Sequence, residues 1–172
     1  MKPAPFTYCR PGSLTEAVAA LAGDPGAKVL AGGQSLVPLL SMRLAAPSLL
    51  VDINALLGLD TITADEAGVT IGALARHADV LASAEARSVQ PLLAMALNHV
   101  AHATIRNRGT TVGSLAHADA AAEMPVVLRL LGGSLDVVGP DGRRTISSDD
   151  LFAGPMECTL SPSTRAAAPT SA

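Results

Sequence analysis

The first 54 residues alternate short apolar runs with an amphipathic pattern. Ser13 followed by Glu16 forms a capping box ahead of apolar residues that recur at helical spacing. Residues 27–33 and 49–54 predict buried strands with a second helix between them. Strand and helix therefore alternate along this stretch, and the pattern predicts a small parallel α/β unit over residues 1–54.

The pattern changes after residue 54. Two alternating runs around Gly68 predict a β-hairpin, and Asp141-Gly142 is the turn signal of another. Helical patterns cover residues 75–83, 89–102, 120–133 and a short capped segment at 147–152. The polar segment 104–119 predicts a loop. Hairpins mixed with helices predict an α+β subdomain over residues 55–155.

The last residues differ in composition from the rest. Residues 156–172 are rich in Ala, Ser, Thr and Pro and have no apolar periodicity. Such composition predicts a disordered tail.

Composition excludes several functional classes. The chain has 172 residues, 49% of them hydrophobic, which supports a buried core. A net charge of -3 and an aromatic content of 2% argue against a nucleic-acid-binding protein. No membrane-spanning segment is predicted, because the longest uncharged stretch, residues 88–105, contains Gln90, Pro91 and Asn98 among its polar or helix-breaking residues.

The cysteines and the N-terminal sequence favour a cytoplasmic protein. Cys9 and Cys158 are far apart and form neither a metal-ligand pattern nor a redox CxxC motif. The opening segment, residues 1–13, lacks the apolar stretch of a signal peptide.

The glycine-bearing segment 31–35, here called the first loop, joins a predicted strand to a predicted helix. Adjacent glycines at 32 and 33 let a ligand approach the main chain, and helix-start N–H groups favour anions. Ser35 and Gln34 add a hydroxyl and an amide donor. The same residues also suit a tight turn with a capping serine. Neither GxGxxG nor GxxxxGK[ST] occurs here.

A second segment, residues 108–114 or the second loop, again combines small and hydroxyl residues. Thr110, Thr111, Gly113 and Ser114 fall here, and two such loops suit the two phosphates of a dinucleotide. Asp119 and Glu123 follow four residues apart on one predicted helical face. They either accept hydrogen bonds from ribose or ribityl hydroxyls or form a solvated helix start.

The segments "LAGGQSLVPLLSMRLAAPSLLVDIN" and "IRNRGTTVGSLAHADAAAE" resemble the two FAD-binding motifs of the flavoprotein (medium) subunit of molybdenum hydroxylases. That family includes aerobic carbon monoxide dehydrogenases and xanthine dehydrogenase-like enzymes. The resemblance runs from about residue 5 to residue 155 and includes the flanks "VDIN" and "DDLFAGP".

The resemblance implies the FAD-binding fold of the molybdopterin dehydrogenase type, with the flavin between the α/β and the α+β subdomains. The residues that it assigns to FAD fall in three groups. They are Val29, Leu30, Ala31, Gly32, Gly33, Gln34, Ser35 and Leu36 in and beside the first loop, Thr110, Thr111, Gly113 and Ser114 in the second, and Asp119 and Glu123 after it.

The resemblance also implies a function, that of an FAD-dependent oxidoreductase subunit. A large partner subunit would carry the molybdenum cofactor and a small one two [2Fe-2S] clusters, from which electrons would pass through FAD to an external acceptor. None of the residues assigned to FAD is expected to act as a catalytic acid or base, and no metal site is expected on this chain. The absence of cluster-type cysteine spacing agrees with clusters on another chain.

Two departures from the family pattern bear on this expectation. The family often reads Thr-Ile-Gly-Gly-Ser in the second loop, and Val112 replaces its first glycine; binding would weaken if that position needs a positive φ. Relatives also continue for roughly another hundred residues past Gly154-Pro155, a single-domain length. The second subdomain is therefore expected to be incomplete and the third absent. The alternatives are a truncated, non-catalytic relic or interaction module, and a stand-alone nucleotide-binding domain.

Histidines and arginines near the second motif have open roles. His117 either contacts the cofactor or is structural. Arg106 and Arg108 either neutralise phosphates or face solvent. His99 and His102 lie three apart on a predicted helix without a third ligand, so no metal site is predicted there.

Overall fold

The computed structural model describes residues 2–160 and 166–171, the latter as backbone. Its helices are α1 Leu14–Gly23, α2 Leu36–Ser41, α3 His77–Ala82, α4 Ala84–Val89, α5 Pro91–His99, α6 Ala103–Arg106, α7 Thr111–His117, α8 Glu123–Leu130 and α9 Ser148–Leu151. Its strands are β1 Thr7–Cys9, β2 Lys28–Leu30, β3 Leu49–Asp52, β4 Ile62–Asp65, β5 Gly68–Ile71, β6 Ser134–Gly139, β7 Gly142–Ser147, β8 Phe152–Gly154, β9 Glu157–Cys158 and β10 Ala166–Ser171.

The N-terminal unit is the predicted parallel α/β arrangement. Its sheet has the order β1-β3-β2, and both pairs are parallel. The Ser13 hydroxyl caps α1 by accepting from the Glu16 N–H, and Glu16 reaches back to accept from the N–H of Gly12. The buried face of α1 packs with the sheet in a small core that contains Leu21, Val51 and, from the second region, Leu74.

The second region has a separate and larger core. Its antiparallel sheet has the order β4-β5-β10-β6-β7, and it includes the two predicted hairpins. Buried side chains of β5, β6, α5, α7 and α8 form this core, among them Val69, Leu97, Met124 and Leu135. The predicted class, a parallel α/β unit followed by a mixed α+β unit, agrees with the architecture.

In the second region one local prediction is wrong and another has wrong bounds. The predicted loop 104–119 contains the end of α6 and all of α7, because Thr110 caps α7 and the buried side chains of Val112 and Leu115 attach it to the core. The helix predicted over 89–102 is present as α5 but is shorter. α4 ends at Val89, and Pro91 starts α5, where its missing N–H costs nothing.

The predicted disordered tail is also corrected for the residues that the structure describes. β9 pairs with β8, and the N–H of Met156 donates to the carbonyl of Ala118 at 2.8 Å. β10 lies between β5 and β6. Main-chain pairing of this kind needs no apolar periodicity, which explains why composition misled the prediction. Residues 161–165 and 172 lie outside the described residues.

Within the described ranges, no helix is both long and apolar enough to cross a membrane.

Candidate functional site

The first loop leaves β2 and turns into α2. Gly33 has φ +71°, a left-handed conformation that favours glycine. The carbonyl of Gly33 accepts from the Val37 N–H at 2.9 Å, and N–H groups ahead of that first bonded turn have no intrahelical partner. Ser35 makes no capping hydrogen bond, whereas the Gln34 amide donates to the carbonyl of Gly32 at 3.2 Å. The loop therefore offers backbone N–H groups and a hydroxyl to a ligand.

The second loop leads into α7. The Thr110 hydroxyl accepts from the N–H of Gly113 at 3.2 Å, and the N–H of Thr111 donates to the carbonyl of Ala75 at 3.2 Å. Val112 is a helical residue, and its side chain is buried in the larger core. Position 112 therefore needs no positive φ, and the departure from the family glycine costs this backbone nothing.

The two loops touch each other at Gly32. A Cβ atom added there would lie 2.5 Å from the carbonyl oxygen of Arg108, 2.8 Å from the Cα of Gly109 and 2.9 Å from the N of Thr110. All three are backbone atoms of the second loop. Gly32 is therefore required because the loops approach this closely, a different reason from that at Gly33.

Asn54 and Arg76 join the same loops by hydrogen bonds. Asn54 Nδ2 donates to the carbonyl of Ala31 at 2.9 Å, and Arg76 donates both to Asn54 Oδ1 at 2.8 Å and to the carbonyl of Arg108 at 2.6 Å. Neither residue was among the predicted site residues. The "VDIN" flank contains Asn54, but its partner lies 22 residues away in sequence.

The loops line one cleft of about 750 Å³, which lies within the usual size range of cofactor pockets. The predicted site residues in its lining are Val29, Ala31, Gly32, Gly33, Gln34, Ser35, Leu36, Thr110, Gly113, Ser114, Asp119 and Glu123. Leu30 and Thr111 are not in the lining. The cleft thus gathers twelve of the fourteen residues named from sequence.

Asp119 and Glu123 line the cleft in a different geometry from the predicted one. α7 ends at His117, Ala118 has φ +55°, and Asp119 lies in the turn before α8, so the two acids do not share a helical face. Asp119 Oδ1 accepts from the N–H of Ala121 at 2.9 Å. Both carboxylates line the cleft, where they can accept hydrogen bonds from hydroxyl groups of a ligand.

His77 is a buried residue that contacts the second loop at Gly109 and Thr111. His77 is 4% exposed, and its Nδ1 lies 3.1 Å from the hydroxyl of Thr111. The main-chain N–H of His77 donates to the carbonyl of Gly109 at 3.0 Å. Burial and the nearby positive charge of Arg106 lower the pKa of His77 to about 4. The imidazole is therefore neutral at pH 7, and the Thr111 hydroxyl is hydrogen-bonded to it.

Arg106 and Arg108, expected either to neutralise phosphates or to face solvent, do not line the cleft. The Arg106 guanidinium donates to the carbonyls of Val100 and Ala101, and Arg108 is exposed outside the lining. His117 does line the cleft. No group of His, Cys, Asp and Glu able to hold a metal is found in the part of the chain that the structure describes.

A fold with two glycine-bearing loops meeting over one cleft defines a cofactor-binding domain suited to a dinucleotide. The family model described as "FAD binding domain in molybdopterin dehydrogenase" matches residues 4–165. The chain belongs to this family of FAD-binding domains, as the resemblance predicted, and its predicted fold and FAD cofactor are confirmed.

Relatives with known names agree with this family assignment. The chain is 44% identical over 162 residues to the nicotine 6-hydroxylase medium subunit of Paenarthrobacter nicotinovorans, covering 93% of this chain and 56% of that protein. It is 39% identical to the carbon monoxide dehydrogenase medium chain of Hydrogenophaga pseudoflava, covering 90% and 54%. Quinoline 2-oxidoreductase from Pseudomonas putida 86 matches in structure with a TM-score of 0.94 and 39% identity, covering 99% and 59%. The chain thus spans little more than half the length of these relatives.

Proposed function

We propose that this chain is the FAD-binding part of the medium subunit of a molybdenum hydroxylase. In this proposal it passes electrons from [2Fe-2S] clusters on a small partner subunit, through FAD, to an external acceptor. Substrate oxidation takes place on a large subunit with the molybdenum cofactor, and the complex is cytoplasmic. The observation that carries the proposal is the contact of the two loops over one cleft in a member of this family.

The residues of the cleft fit an FAD diphosphate. The first loop supplies N–H groups and the hydroxyl of Ser35 to the phosphates, in place of an arginine clamp. The start of α7 adds the N–H of Val112 and the hydroxyl of Ser114, because the N–H groups of Thr111 and Gly113 already donate within the protein. Asp119 and Glu123 supply acceptors for the ribose or ribityl hydroxyls. Leu30 and Thr111 support the loops from outside the lining. When bound, FAD supplies the electron-transfer chemistry, and this chain positions it.

The alternatives are less well supported. A non-catalytic relic would not need the two loops, their contact at Gly32 or the hydrogen bonds by which Asn54 and Arg76 join them, and the chain has all three. A stand-alone nucleotide-binding domain would show no preference for flavin, and the titration below distinguishes it from a flavoprotein.

The purified chain is expected to bind FAD with micromolar or tighter affinity and FMN far more weakly, because only FAD carries the second phosphate. The measurement is calorimetric titration with FAD, FMN and ADP, supported by flavin fluorescence. Protein fluorescence is a poor signal here, since the chain has no Trp and one Tyr. A folded chain that does not bind FAD would contradict the proposal, and equal affinity for FAD and ADP would favour a general nucleotide-binding domain.

A further inference from the structure

Asn54 is held in one orientation by its neighbours. Its Nδ2 group donates to Asp52 Oδ1 at 2.6 Å and to the carbonyl of Ala31 at 2.9 Å. Its N–H also donates to Asp52 Oδ1, at 2.9 Å. With its nitrogen facing these acceptors, the amide presents Oδ1 to Arg76.

Asp52 is itself fixed as a carboxylate. The Tyr8 hydroxyl of β1 donates to Asp52 Oδ2. Partial burial works against ionisation, but the hydrogen bonds from Tyr8 and Asn54 outweigh it and lower the pKa of Asp52. The orientation of Asn54 is thus anchored to the parallel sheet of the N-terminal unit.

Arg76 completes the connection from the other unit. One guanidinium nitrogen donates to Asn54 Oδ1 and the other to the carbonyl of Arg108. The carbonyl oxygen of Arg108 is the atom that a Cβ added at Gly32 would approach most closely. The bridge therefore ties the carbonyl at the start of the first loop to the carbonyl at the start of the second, beside their point of contact.

We propose that Asn54 and Arg76 are positioning residues that set the separation of the two loops and so make the cleft selective for a ligand with two adjacent phosphates. This inference rests on the proposed function, since it treats the loops as the diphosphate site. Neither side chain lines the cleft, so each acts through the loop carbonyls and not by touching the ligand.

The selectivity follows from geometry. A diphosphate places both phosphate groups at a fixed distance, so its affinity depends on how far apart the loops are held. A single phosphate needs only one loop and does not depend on that separation. Arg76 is suited to the role because a planar guanidinium directs two N–H groups at two fixed acceptors, which the single ammonium of lysine does not reproduce.

The test uses Arg76→Lys, Asn54→Ala and the double variant, titrated with FAD, ADP and FMN. Each single variant is expected to weaken FAD and ADP about tenfold while FMN changes less than about twofold. The double variant is expected to bind FAD about as weakly as either single one, because either change already breaks the bridge. Arg87→Lys, an exposed arginine of α4, is the matched control and is expected to leave all three affinities unchanged.

The outcomes separate the two proposals. If the unsubstituted chain binds FAD no better than FMN, the proposed function fails and the diphosphate selectivity fails with it. If the unsubstituted chain prefers FAD and the variants prefer it to the same degree, the bridge alone is overturned. Equal weakening of FAD and FMN, or additive losses in the double variant, would also overturn it, because both are expected from general destabilisation.

Discussion

Substitution of Gly32 by alanine is expected to weaken FAD binding by roughly 30- to 100-fold. The added methyl group would lie 2.5 to 2.9 Å from three backbone atoms of the second loop, including the carbonyl of Arg108. Backbone atoms cannot rotate out of the way as a side chain can, so the loops must separate. Overpacking of this kind costs about 1–3 kcal/mol, and the same displacement spoils the spacing of the phosphate site. Calorimetric titration with FAD measures the loss.

Gly23→Ala is the matched control for this prediction. Gly23 ends α1, and a Cβ atom added there meets nothing within 4 Å. Alanine at this position is expected to preserve FAD affinity and to leave thermal stability equal or slightly higher, given its better helix propensity. FAD affinity equal to that of the unsubstituted chain in Gly32→Ala would show that the loops are not in tight contact.

Acidification is expected to destabilise the protein through His77. The folded-state pKa is about 4, below the ordinary value of 6.5, so between these values the unfolded chain binds a proton that the folded chain excludes. Stability is therefore lost as the pH falls through this window. Between pH 7 and pH 5 the loss from this one group amounts to about 2 kcal/mol. Urea unfolding at the two pH values measures it.

His77→Gln isolates the contribution of this histidine. The glutamine amide can either donate to or accept from the Thr111 hydroxyl but does not titrate, so the variant is expected to lose about 2 kcal/mol less stability than the unsubstituted chain over the same pH interval. His99→Gln, on the exposed part of α5, is the control for replacement of a histidine as such. An identical pH dependence for His77→Gln and the unsubstituted chain would refute the assignment.

Local signals explain which parts of the fold could be predicted from sequence. The Ser13 cap and the turn at Asp141-Gly142 act within a few residues, and both were predicted correctly. α7 was missed because it is short and contains Gly113 and two hydroxyl residues, which composition assigns to a loop. Its helical state depends on burial of Val112 and Leu115 in the distant core, a tertiary effect.

The site shows the same division between local and tertiary information. Glycines at 32 and 33 reveal a bare backbone, and most of the predicted residues do line the cleft. The sequence does not reveal that Gly32 is required by the second loop. The Asn54–Arg76 bridge could not be predicted either, because its two halves come from different units of the fold and meet only after folding.

The central position of β10 has a consequence for the order of events during synthesis. The parallel sheet is complete once residue 52 has been made, so the N-terminal unit can form early on the ribosome. The antiparallel sheet cannot close until residues 166–171 emerge and enter between β5 and β6. Long-range pairing of this kind is slow. Since the second loop is supported by this later unit, the cleft reaches its final form only after β10 has entered the sheet.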